Sequence, residues 1–183
     1  MEKFDFGAGP VPAHRHRNPD GSVGGWIAET ATVADTVWVT GNAWVYNNAR
    51  VFGNARVYGN ARVFGNARVF GGAKVFDDSQ VSGTANVFGN AEVSGNAQVY
   101  GNAKVYGAAK VFDDAQVYGD AWVSGVAQVS GKTQVSGNAW VGGDAQVCGN
   151  AQVSGDTTVS SNDTVSSNSM ELPVCPEPSV LGW

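Results

Sequence analysis

Residues 49–70 read ARVFGNARVYGNARVFGNARVF. The unit Val-Phe-Gly-Asn-Ala-Arg, residues 51–56, returns every six positions. Within it Ala, Arg, Val and Phe alternate between two sides, which is the two-residue period of a strand and not the 3.6-residue period of a helix. Gly-Asn then closes a tight turn, because both residues tolerate positive φ. The same spacing extends outward in both directions. An aliphatic residue stands at every sixth position from Ile27 to Val165, which makes 24 units with no insertion or deletion. Four positions after it comes a small residue, Ala in 18 of the 24. The exceptions are Val37, Ser79, Thr133, Thr157, Asp163 and Ser169. A short strand and a tight turn, repeated, stack into a solenoid in which each unit touches only its neighbours. Val and Ala are predicted to face inward, and the residues flanking Val outward.

This pattern resembles the hexapeptide repeat of the left-handed parallel β-helix, the fold of the hexapeptide acyltransferases and γ-class carbonic anhydrases. The resemblance covers residues 27–170. It implies an all-β protein, a triangular β-solenoid with a left hand and about eight 18-residue coils. At a strand spacing of ~4.8 Å the rod is roughly 38 Å long. Residues 1–26 and 171–183 are expected to cap the open ends, which would otherwise expose unpaired strand edges; the alternative for 171–183 is a disordered or partner-binding tail. The tail carries three prolines, at 173, 176 and 178, which suit a sheet edge that must not pair.

Composition excludes several classes. The net charge is −5, against the basic character of a simple nucleic-acid binder. The repeats carry 11 acids and 8 bases, too balanced for a DNA mimic. No run of 18 apolar residues is present, so no membrane span is expected. The opening MEKFDFGAGP has no apolar core of a secretory signal, so a cytoplasmic location is expected. Two cysteines, Cys148 and Cys175, are too few for a disulfide framework. Cys148 is predicted to face outward, as a candidate reactive or dimer-linking thiol.

With so uniform a core, the information lies in the outward columns, sorted in steps of 18 residues. On one face Phe52, Phe70, Phe88 and Tyr106 follow one another, beside Arg50, Arg68, Asn86 and Lys104. A second face carries Tyr58, Phe76, Ser94 and Phe112, beside Arg56, Lys74, Glu92 and Lys110. The third carries Tyr46, Phe64, Ser82, Tyr100 and Tyr118. Beyond Tyr118 the same positions turn to Ser, Gly and Cys. Trp122 and Trp140, one coil apart on one face, are expected to stack and to anchor an interface. The candidate protein-binding residues are therefore Phe52, Phe70, Phe88, Tyr106, Arg50, Arg68, Lys104, Tyr58, Phe76, Phe112, Trp122 and Trp140. Four stacked rings give an apolar strip of roughly 300–600 Å², the size that marks an interaction site on a monomer. Ladder stabilisation and self-association into a dimer or trimer are the competing explanations. Arg50, Arg56, Arg62, Arg68 and Lys74 form a belt with no acid between Asp35 and Asp77. It encircles the rod instead of making one patch, so nucleic acid is the weaker reading.

The residues that carry chemistry are missing. The acyltransferases use a solenoid histidine, an inserted loop and a helical C-terminus. None is present here, and residues 27–170 contain no histidine. Zinc in the γ-class carbonic anhydrases needs three histidines, and this chain has only His14 and His16. Those two are read as solvated or capping. Asp77-Asp78 and Asp113-Asp114 are read as turn residues in place of Gly-Asn, not as a calcium site. No catalytic residue, cofactor or metal is predicted. The stretch GAGPVPAHRHRNPDGSVGGW before GNA-x-V repeats is similar to small solenoid proteins of phages and prophages. That similarity implies a non-enzymatic accessory protein that docks on a partner in the host bacterial cytoplasm, for example to inhibit an anti-phage defence complex such as CRISPR-Cas. The alternatives are an ice-binding protein using the Gln/Thr-Val-Ser rear at 134–136, 152–154, 158–160 and 164–166, a structural, self-assembling or virion solenoid, and an acyltransferase remnant.

Overall fold

The computed structural model describes residues 2–166. Among them there is no helix, and hence none long and apolar enough to cross a membrane. Three strands open the chain: β1 (Lys3–Asp5), β2 (Pro10–Arg17) and β3 (Val23–Ala28). From β3 onward one short strand recurs every six residues, each built on the position before Val and on Val itself. Strands three units apart pair in parallel, so Arg68 lies in register with Arg50 and with Asn86, and Val69 with Val51 and Val87. This closes a coil every 18 residues and yields three sheets of ten, eight and eight strands. Sheet I contains β1–β3 and runs from Trp44–Val45 to Gln152–Val153; sheet II runs from Thr32–Val33 to Thr158–Val159; sheet III runs from Trp38–Val39 to Thr164–Ser166.

The inward assignment of Val and Ala holds along the described rod. From Val37 to Val147 every Val at the repeat position and every Ala four places on is fully buried. Burying one such Val contributes about 1.5–3 kcal/mol gross, most of it offset by the ordering of the chain. Where the small slot holds a polar residue, its hydroxyl finds a carbonyl at once. Ser79 Oγ donates to Phe76 O (2.6 Å), and Thr133 Oγ1 donates to Ser130 O (2.7 Å). Turns pack as closely as the core. A Cβ on Gly59, at φ +71°, would stand 2.9 Å from the backbone nitrogen of Asp77 one coil on. Asp77 and Asp113 keep this left-handed backbone, at φ 58° each, and turn the side chain to use. Their Oδ2 atoms accept the amides of Gly95 (3.1 Å) and Gly131 (3.0 Å).

The N-terminal segment closes the first coil. β2 pairs antiparallel with both β1 and β3, so β3 is shared between the hairpin and the solenoid. His16 and Asn18 are buried and meet the unpaired edge of Trp38–Val39, the first strand of sheet III. His16 Nε2 donates to Val37 O (2.9 Å), and Asn18 Oδ1 accepts the Val39 amide (2.9 Å). Phe4 and Phe6 also lie on the outer side of sheet I, stacked on Trp26 (4.5 Å) and Tyr46 (4.9 Å). The N-terminal hairpin thus also clads the start of one outward column. The expected C-terminal cap, 171–183, lies outside the described residues.

Candidate functional site

Sheet II carries the longest unbroken stack of outward rings. Its aromatic column stacks without a gap: Phe52–Phe70 4.8 Å, Phe70–Phe88 4.9 Å and Phe88–Tyr106 5.0 Å, with ring planes within 4°. Equivalent positions 18 residues apart place each ring over the next, so the faces are used internally and the edges form a ridge. Phe52, at the open end, is the most exposed ring of this stack, at 41 %. Tyr106 meets Trp122 edge-on (6.3 Å), and Lys104 Nζ lies 4.3 Å from the Trp122 ring centre.

The expected stack of Trp122 on Trp140 does not form, although the two are in register. Trp140 turns its indole N–H to Ser124 Oγ (2.9 Å) and lies across Gly142, where a Cβ would meet its ring atoms at 2.7–3.0 Å. A small residue beside the tryptophan lets the ring fold down onto the sheet, which parts it from Trp122. Both indoles remain exposed, at 43 and 40 %. With Asn102, Lys104, Tyr106, Asp120 and Asn138 they line one shallow groove.

The other two faces differ. On sheet III Tyr58 stacks on Phe76 (4.8 Å), as the column predicted. Phe112, predicted exposed, is buried, and so are Ser130 and Cys148 in the same column. With Ser94 between it and Phe76, the Phe112 ring has no aromatic neighbour in its column to extend the ridge. Phe112 therefore offers no docking surface, and Cys148 is buried, not facing outward as expected. On sheet I Tyr46 stacks on Phe64 and Tyr100 on Tyr118, both at 5.0 Å, but Phe6 covers Tyr46. Burial raises the Tyr46, Tyr58 and Tyr100 hydroxyls above the usual tyrosine range. Nearby Glu92 and Asp77 push Tyr58 further the same way, and Arg56 opposes them.

The cations sort by face too. On sheet III Glu92 stands between two lysines, 2.9 Å from Lys74 Nζ and 3.9 Å from Lys110 Nζ. On sheet I the Arg62 guanidinium lies 4.5 Å from the Trp44 ring centre. On sheet II Arg50 and Arg68 are exposed register neighbours, and neither meets an acid among the described residues. Of the two histidines, His14 Nδ1 lies 2.8 Å from Glu29 Oε1, and His16 belongs to the cap. Among the described residues no three His, Cys, Asp or Glu side chains gather as a metal site.

The sequence reads His16 as solvated or capping and does not single out Asn18, although HRHRNPDGSVGG, with its Asn-Pro-Asp-Gly, marks a turn between two strands. A search among curated proteins finds no match to the chain. The repeat model described as YdcK beta solenoid repeat matches residues 43–59, 49–63, 55–69, 61–75, 97–111, 115–131 and 145–161. With three parallel sheets, an 18-residue coil and these matched stretches, the chain is a β-solenoid repeat protein whose units are similar to the YdcK repeat.

Proposed function

We propose that this solenoid is a non-enzymatic docking protein that binds a partner protein through sheet II. The observation that carries the reading is the ridge Phe52–Phe70–Phe88–Tyr106, continued by Trp122 and Trp140 and flanked by Arg50, Arg68 and Lys104. Ladder stabilisation explains why rings stack, since cross-strand aromatic pairs support a sheet. It does not explain two indoles left more than a third exposed. Aromatic and arginine side chains are the residue types that dominate binding energy at protein interfaces. The similarity of the N-terminal stretch to phage and prophage solenoids supports a bacterial host protein or complex as the partner, with inhibition of a defence complex such as CRISPR-Cas as the finer reading.

Pull-down from bacterial lysate, with wild type beside Phe70→Ser/Phe88→Ser, tests the reading. A stoichiometric partner held by the wild type and lost with the double variant is expected. Both proteins should keep the same β-rich circular dichroism, because the rings lie outside the core. A protein that holds nothing, or that associates only with itself in light scattering, overturns the proposal.

A further inference from the structure

Arg50 and Arg68 lie side by side on sheet II, about 4.8 Å apart along the rod axis. Like charges directly opposite one another on a sheet are destabilising. On sheet III Arg56 and Lys74 are also register neighbours, but Lys74 is paired with Glu92, which stands between it and Lys110; on sheet I Arg62 has Trp44 and Gln80 as register neighbours and lies over the Trp44 ring. The sheet II pair has neither remedy, and no acid occurs in the chain between Asp35 and Asp77. Beside it runs the ring-edge ridge of Phe52 and Phe70. The molecule as a whole carries a charge of −5, so this is a local cationic strip on an acidic protein.

We propose that Arg50 and Arg68 form a clamp for a carboxylate of the partner, so that the docked surface is an acidic polypeptide segment with apolar side chains beside its acids. The inference rests on sheet II being a docking face. Two guanidiniums at one-coil spacing can both donate to a single carboxylate, in the charge-assisted geometry that arginine favours. The apolar side chains would lie on the Phe52–Phe70 ridge. A nucleic-acid phosphate has the same charge, but the rest of the face argues against it. Nucleobases bind by stacking on open aromatic faces, and beside Arg68 the Phe70 ring has both faces taken, by Phe52 and Phe88 at 4.8 and 4.9 Å.

A random peptide library panned on the immobilised full-length protein tests this, with oligothymidylate as a parallel probe. The expected peptides are rich in Asp and Glu interspersed with Leu or Phe. They should lose at least about tenfold in affinity to Arg50→Glu/Arg68→Glu, and Arg50→Gln/Arg68→Gln should weaken them less. Their binding should fall with added salt, and oligothymidylate should bind at least about tenfold more weakly than they do. Selected peptides that need Phe70 and Phe88 but carry no acidic excess, and ignore the charge reversal, overturn the clamp while leaving the docking face standing. Peptides indifferent to both sets of substitutions, or no enrichment, overturn both. Tighter binding of oligothymidylate than of any peptide replaces the polypeptide with nucleic acid and overturns the inference.

Discussion

Arg68 and Glu92 occupy the same position of the repeat, on the residue before Val, and both have cationic register neighbours. Glu92 relieves its column and Arg68 strains its own. Substituting Arg68→Glu should therefore stabilise the fold by about 0.2–1 kcal/mol, the range of exposed cross-strand charge pairs, while removing the docking charge. A rise in the thermal midpoint at low salt, shrinking as salt is added, is the expected result; a fall would show that Arg68 already serves the folded state. The half-buried tyrosines set a second residue-scale expectation. Tyr46, Tyr58 and Tyr100 are raised in the fold above an unfolded value near 10. The neutral hydroxyl is then favoured by folding. That contribution is complete below the unfolded value and is lost as pH rises through the folded one. Tyrosinate absorbance should show these hydroxyls titrating later than free tyrosine, with the unfolding midpoint falling as they ionise on the alkaline side.

At the scale of elements, the N-terminal hairpin replaces the missing coil below Trp38–Val39 by side-chain bonds. His16→Ala leaves the buried Val37 carbonyl unpaired, and Asn18→Ala does the same to the Val39 amide. Each should cost about 1–3 kcal/mol. Gly24→Ala should cost about 1–3 kcal/mol by overpacking, since its Cβ would lie 2.0 Å from Val39 O. Urea denaturation curves for the three variants measure this, and unchanged midpoints would mean that the hairpin does not support the rod. These elements also show what could be read from the chain alone. The repeat was legible because six is a multiple of the strand period, so every Val and Ala keeps its side without reference to distant contacts. The Phe52–Tyr106 stack followed from the 18-residue coil in the same way. The roles of His16 and Asn18 were not legible in the same detail, because they depend on which edge the hairpin meets. Nor was the parting of Trp122 from Trp140, which turns on Gly142 lacking a Cβ, or the burial of Phe112, whose column neighbours are Ser94 and Ser130.

On the whole-molecule scale the core is nearly indifferent to face while the surface is not, and this separates folding from docking. Removing residues 83–100 takes out one coil. Each later hexad stays on its own sheet, Tyr106 moves next to Phe70, and Lys104 moves next to Arg68. Removing residues 83–88 takes out a third of a coil. Val and Ala still point inward, because every hexad supplies the same pair, but all later columns rotate by one face. Glu92 then becomes the register neighbour of Arg68 and pairs with it, and Ser94 ends the ring stack after Phe70. Stability in such a rod is a sum of coil and neighbour contributions, so both shortened proteins should fold, with lower thermal midpoints and retained β-rich circular dichroism. The coil deletion should hold the partner that the wild type holds. The hexad deletion should release it, although it removes fewer residues. Equal retention by the two would mean that docking does not use the continuous sheet II face, and loss of folding by the hexad deletion alone would mean that the outward columns, not only Val and Ala, keep the coils in register.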